Sequence, residues 1–180
     1  RVLFRSEHLI NAHAIAPETA IRLAAFARER ATIDLVDQAA TTPDLTTFMA
    51  QLNARKALNA SLLLRALARG QMAMFEHGLA ELAHTPHSRA WLMIHDAGPL
   101  GLKAIYDRAG LPPRLFQAFR AGVDTWRALQ AEGADTSGDV FRSRMLERFL
   151  TQRPTTSRDD LAYLMERLDG PARPQHRAAA

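Results

Sequence analysis

From Ser61 onward, leucine, methionine and aromatic residues recur at threes and fours, the spacing that places them on one side of an α-helix. Leu63, Leu64 and Leu67 form one such stripe, closed by Gly70. Met72, Phe75, Leu79 and Leu82 form a returning stripe, stopped at Thr85-Pro86. The device then repeats. Trp91, Leu92 and Ile94 predict a short buried-face helix ended by Gly98-Pro99, and Leu102, Ile105 and Tyr106 predict another ended by Gly110-Leu111-Pro112-Pro113. Glycine can take the left-handed conformation that closes a helix, and proline cannot continue one. Gly70, Pro86, Gly98, Gly110 and Pro112 are therefore the predicted structural turns. Two hairpins, 61–86 and 90–113, at a spacing of about 27 residues predict stacked helical repeats.

The flanking segments are helical as well. Pro17 suits the first turn of a helix running to about Arg30, with Ile21, Ala25 and Phe26 inward. Ile33, Val36 and Ala40 keep helical spacing up to Thr41-Thr42-Pro43. Thr42 is then the expected N-cap, with Pro43 at the first position of a helix carrying Leu45, Phe48, Met49 and Leu52. After the hairpins, Leu115, Phe116, Phe119, Val123 and Trp126 mark a longer helix from Arg114 to about Gln130. The small, polar stretch 131–138 reads as a connection. Beyond it, Phe141, Met145 and Phe149 mark one helix. Ser157 with Asp160 resembles a capping box that opens a last helix along Leu161, Leu164, Met165 and Leu168. The expected organisation is a helical-repeat domain over 1–130, a helical pair over 139–169 packed as a cap, and a tail over 170–180 without apolar periodicity, expected to be disordered. The fold class is all-α: stacked helical hairpins forming a short HEAT-like solenoid or a helical bundle.

Composition strengthens the helical reading. Valine occurs four times and isoleucine six in 180 residues, whereas alanine and leucine dominate. The absence of cysteine excludes disulfides, thiolate zinc sites and a cysteine nucleophile. No apolar run approaches the roughly 20 residues that span a bilayer. The chain opens at Arg1 rather than methionine, as expected of a piece of something longer. The net charge of +4 is uneven: residues 1–30 carry five arginines against three acids, and 140–180 carry eight against five. Nucleic acid is therefore a candidate partner through these arginine-rich ends, although phosphate-binding surfaces normally show a denser basic stripe. Lys56 and Lys103 are the only lysines, a bias that fits GC-rich bacterial coding.

Candidate chemistry is sparse. His95-Asp96 is the only adjacent His–Asp pair, and helical metal-dependent phosphohydrolases hold a divalent ion with such a pair. Two ligands do not close a metal site, and His84 and His87, eight to eleven residues upstream, complete no recognisable set. Asp96 is expected to pair locally, and His95 to pack at the edge of the Trp91 stripe. His77 lacks the acid that follows a phosphorelay histidine, since Gly78 stands there. No G-x-S-x-G elbow occurs, and Gly98-Pro99-Leu100-Gly101 lacks the strand that precedes a dinucleotide loop. No catalytic, cofactor-binding or metal-ligating residue is assigned.

Four segments carry a family resemblance: LLRALARG (63–70), MFEHGLAELAHTP (74–86), LMIHDAG (92–98) and LKAIYDRAGLPPRLFQAF (102–119). With the "AGLP" signature at 109–112, they resemble an uncharacterised alphaproteobacterial family known as domain of unknown function 2336. The resemblance implies an all-helical, HEAT-like bacterial cytoplasmic protein and transfers no catalytic residue. The expected function is a non-catalytic interaction or regulatory scaffold with a protein partner. Nucleic-acid binding is the alternative, and a metal-dependent hydrolase at His95-Asp96 is third.

Overall fold

The computed structural model describes residues 16–38, 44–96, 98–136, 138–152 and 158–169. Among these residues all regular structure is helical: α1 (Pro17–Gln38), α2 (Leu45–Ala54), α3 (Ala60–Ala68), α4 (Met72–Leu82), α5 (His87–His95), α6 (Gly98–Arg108), a 3-10 turn (Pro113–Leu115), α7 (Phe116–Glu132), α8 (Gly138–Gln152) and α9 (Arg158–Asp169). The two apolar stretches expected on either side of Arg30 form the single helix α1, because neither glycine nor proline interrupts 18–38. Helix α2 is capped by Asp44 rather than Thr42: Asp44 Oδ1 accepts the Thr47 N–H at 2.9 Å. Thr42, Pro43, Ser157 and the tail from Gly170 lie outside the described residues.

Several helices end by the same hydrogen-bonded closure. At the first hairpin Gly70 has φ 78, its N–H donates to Leu67 O at 2.9 Å, and the Gln71 N–H donates to Ala66 O at 3.0 Å. These paired bonds satisfy carbonyls that the last helical turn leaves open. Helix α4 closes in the same way through His84, at φ 48, with His84 N–H on Glu81 O (3.1 Å) and Thr85 N–H on Ala80 O (3.0 Å). Pro86 then stands at the N-cap of α5. Gly98, expected to end the helix containing Trp91, instead is the first residue of α6. Pro112 is the N-cap of the 3-10 turn, so the long helix expected from Arg114 begins at Phe116. That helix runs on to Glu132, two residues into the expected connection, and Gly133 ends it in a left-handed conformation.

Helix α3 lies at the centre. Every residue from Ser61 to Ala68 is buried, and the helix packs against α1, α4, α7, α8 and α9. Leu62, Leu63, Leu64 and Leu67 are all but fully enclosed, each worth about 1.5–3 kcal/mol of hydrophobic burial. Two neighbours approach so closely that only glycine fits. A Cβ on Gly78 of α4 would stand 2.4 Å from Leu63 Cδ2, and one on Gly122 of α7 would stand 2.8 Å from Leu67 Cγ. Polar groups join α9 to the same helix. Arg65 Nε–H donates to Arg167 O at 2.7 Å, and Arg167 Nη1–H donates to Ser61 Oγ at 3.3 Å.

Helix α5 departs from expectation. Ala90 and Ile94 are its buried residues, whereas Trp91 and Leu92 are 41% and 50% exposed. Successive helical residues are turned by about 100°, so seating the 90/94 row inward turns 91 and 92 away from the core.

Candidate functional site

A cluster of polar side chains lies within the packing where α4 meets α5. Glu76 occupies the buried face of α4, spaced from Met72 and Leu79 like a core residue. Its carboxylate is 9% exposed. The hairpin through His84 folds α5 back so that His87, Trp91 and His95, four residues apart, form one row beside it. His95 Nε2–H donates to Glu76 Oε1 at 2.7 Å, and His87 Nε2 lies 3.4 Å from Glu76 Oε2. An ionised carboxylate can only accept, so in that form of Glu76 each contact takes a histidine Nε2–H as its donor. The His95 side chain is 8% exposed and that of His87 34%, so the site has an inner and an outer end.

Aromatic and helix-end contacts hold the inner end. Trp91 and Trp126 flank the His95 ring at centroid distances of 5.1 and 5.2 Å. Arg127 of α7 donates Nη2–H to His95 O at 2.6 Å and also to Ile94 O, placing a cation at the C-terminus of α5. At the outer end the His77 and His87 rings stack in parallel, with centroids 3.7 Å apart. His77 Nδ1 is 3.1 Å from Thr46 Oγ1 of α2. Desolvation by burial, and then the neighbouring His87 charge, hold His77 below the ordinary histidine pKa, against the opposing pull of Glu76 and Asp44. A pocket of about 220 Å³ opens beside this pair, with Thr46, Glu81, His84 and His87 on its walls.

The arrangement unites some sequence candidates and separates others. His77, His84 and His87 meet at one pocket, and His95 joins His87 only through Glu76. Asp96 does not join them. It is the exposed C-cap of α5, and the local partner expected for it is not found among the described residues. The third-ranked metal pair is thus divided, since the Nε2 of His95 is engaged by Glu76. Among the described residues no group of three His, Asp or Glu side chains is disposed to hold a metal ion. Glu76 was missed from sequence. The available signal was an acid at a core-stripe position of an otherwise apolar helix, facing two histidines eight residues apart on the next.

The model of an uncharacterised protein family conserved in bacteria, DUF2336, matches residues 5–159. The chain belongs to this family. No curated protein and no solved structure matches it. The DUF2336 match takes in α1 to α8, including the whole Glu76 site, and stops at the beginning of α9. No helix among the described residues is long and apolar enough to cross a membrane.

Proposed function

We propose that this DUF2336 protein is a non-catalytic interaction or regulatory scaffold of the bacterial cytoplasm, and that α5 presents its protein-binding face. The observation that carries this reading is the exposure of Trp91 and Leu92 on α5, with Leu100 of the adjoining α6 81% exposed. Tryptophan and leucine held in water lose the burial energy that a partner surface would restore, and buried aromatic anchors supply much of the energy at protein interfaces. Trp91 is also held in place, with its ring against His95, which Glu76 fixes from below.

Nucleic-acid binding through the arginine-rich ends has weaker support, because many arginines serve the fold. Within those ends Arg22 pairs with Glu166, Arg144 lies 3.9 Å from Glu132, and Arg167 Nη1–H donates to Ser61 Oγ at 3.3 Å. The test is a pull-down from the native bacterium with the wild-type chain and a Trp91→Ser/Leu92→Ser variant whose thermal melt is unchanged. The scaffold reading requires a protein captured by the first and lost from the second. Equal capture by both baits would remove α5 as the binding face. Sub-micromolar binding to a defined DNA near physiological salt would replace the scaffold reading with the nucleic-acid one.

A further inference from the structure

A second concavity, of about 510 Å³, lies between the start of α3, the end of α4, the 109–115 connection and α9. Its apolar wall includes Leu82, Leu111 and Leu115, and its polar wall includes Ser61, Tyr163 and Arg167. The volume falls within the range of roughly 300–1,000 Å³ typical of small-molecule sites, and apolar walls with a few placed polar groups are the usual composition.

Arg167 is half-buried, and its guanidinium makes few contacts. Nη1–H reaches Ser61 Oγ at 3.3 Å, a long contact, and the group lies 4.9 Å from the Tyr163 ring. Its Nε–H is shielded from solvent and meets no acceptor. No carboxylate pairs with Arg167 among the described residues. A second guanidinium, that of Arg114, lies 4.4 Å from the same Tyr163 ring, so two cations flank one aromatic beside the cleft. Leaving a shielded N–H without an acceptor is unfavourable, and a guanidinium fork matches the two oxygens of a carboxylate. The leucine wall accounts for the remainder of the ligand, since it would bury a hydrocarbon body next to that charge.

We propose that this cleft binds a small organic carboxylate with an apolar body, its carboxylate on Arg167 and its hydrocarbon against Leu82, Leu111 and Leu115. The walls come from segments far apart in sequence, so such a ligand also ties α9 to the central helix. This proposal is independent of the scaffold reading and of the α5 face.

Octanoate is a suitable probe, with octanol and acetate as its neutral and body-less controls. Calorimetric titration of the full chain should show saturable octanoate binding, with octanol and acetate each at least about tenfold weaker, because each lacks one of the two recognition elements. Arg167→Met should weaken octanoate binding by about tenfold or more. Arg167→Lys, which keeps the charge without the fork, should fall between the two. If Arg167→Met does not fold, hydrogen exchange on the wild-type protein provides the check: octanoate should slow exchange across 158–169, and octanol should not. Absence of saturable octanoate binding would overturn the proposal. So would octanol binding as tightly as octanoate, which means an apolar crevice only, or unchanged affinity in a folded Arg167→Met.

Discussion

Replacing Gly122 by alanine sets two opposing effects against each other at one position. Alanine is a better helix former than glycine by about 1 kcal/mol, so in an open helix the change would stabilise. At this position the added Cβ would stand 2.6 Å from Leu67 Cδ2, 2.8 Å from Leu67 Cγ and 3.3 Å from Met145 Sδ. Met145 can yield by rotation, but Leu67 is fully enclosed on the central helix and its branch carbon cannot swing clear. Overpacking of this kind costs about 1–3 kcal/mol, so the net expectation is destabilisation of about 1 kcal/mol. For a domain of this size that lowers the melting temperature by roughly 2–4 °C.

Truncating the neighbour should reverse the sign. Leu67→Ala alone should cost about 2–5 kcal/mol, through lost burial and the cavity left behind. In that background the clashing Cγ and Cδ2 are gone, so Gly122→Ala regains its helical advantage and fills part of the void. The double variant should therefore be more stable than Leu67→Ala alone, with a coupling of about 2 kcal/mol read from urea unfolding of all four proteins. A Gly122→Ala protein more stable than wild type, or strictly additive effects in the cycle, would refute the close approach of α7 to α3.

Gly70→Val should destabilise by about 1–3 kcal/mol in a thermal melt, because a β-branched residue would be forced to φ 78. An unchanged melt would mean the hairpin closes elsewhere. Glu76→Ala should cost about 3 kcal/mol in urea unfolding, because it leaves His87 and His95 without their shared carboxylate. A loss below about 0.5 kcal/mol, the range of ordinary surface changes, would show that the carboxylate does not organise α4 and α5. His77 has a folded pKa below its unfolded value near 6.5, so its neutral form favours the fold. Its contribution is intact above pH 6.5 and is lost as pH falls from there through the folded pKa. Urea midpoints from pH 7.5 to 5 should decline less in His77→Gln than in the wild type, and parallel curves would exclude His77 as the source.

The hairpins were legible in the sequence because each depends on local chemistry. A leucine stripe followed by Gly70, or the Tyr106 stripe followed by Gly110, carries both its period and its stop. The His84 closure was harder to read, since a non-glycine residue takes the left-handed conformation there and Thr85-Pro86 drew attention to the following step. The orientation of α5 was misread because Trp91, Leu92 and Ile94 outweigh Ala90 in hydrophobicity, whereas packing selected the Ala90/Ile94 row. Gly78 and Gly122 look like weak points within helices when read alone. Their value appears only with Leu63 and Leu67, residues 15 and 55 positions away in the chain. The Glu76 site was hidden for the same reason, since its three groups come together only when α4 and α5 pair. That packing is not written in either helix separately.

The central position of α3 bears on how the molecule opens. In a one-dimensional repeat array each unit touches its neighbours alone, and unfolding can begin at an end and spread. Here α3 packs on α1, α8 and α9 as well as on α4 and α7, so no end can be removed without uncovering part of the leucine core. The attachments differ in kind. Helix α7 is locked by the Gly122–Leu67 approach, whereas α9 adds two hydrogen bonds involving arginine side chains at 2.7 and 3.3 Å, the second of them long. Net hydrogen-bond contributions of about 0.5–1.5 kcal/mol each are small beside the burial of a leucine row. Helix α9 adds its own buried Leu164 and Leu168 to the shared core, and it is also the element that carries Arg167. Whatever satisfies that guanidinium therefore acts on a helix fastened to α3 both by buried leucines and by arginine hydrogen bonds.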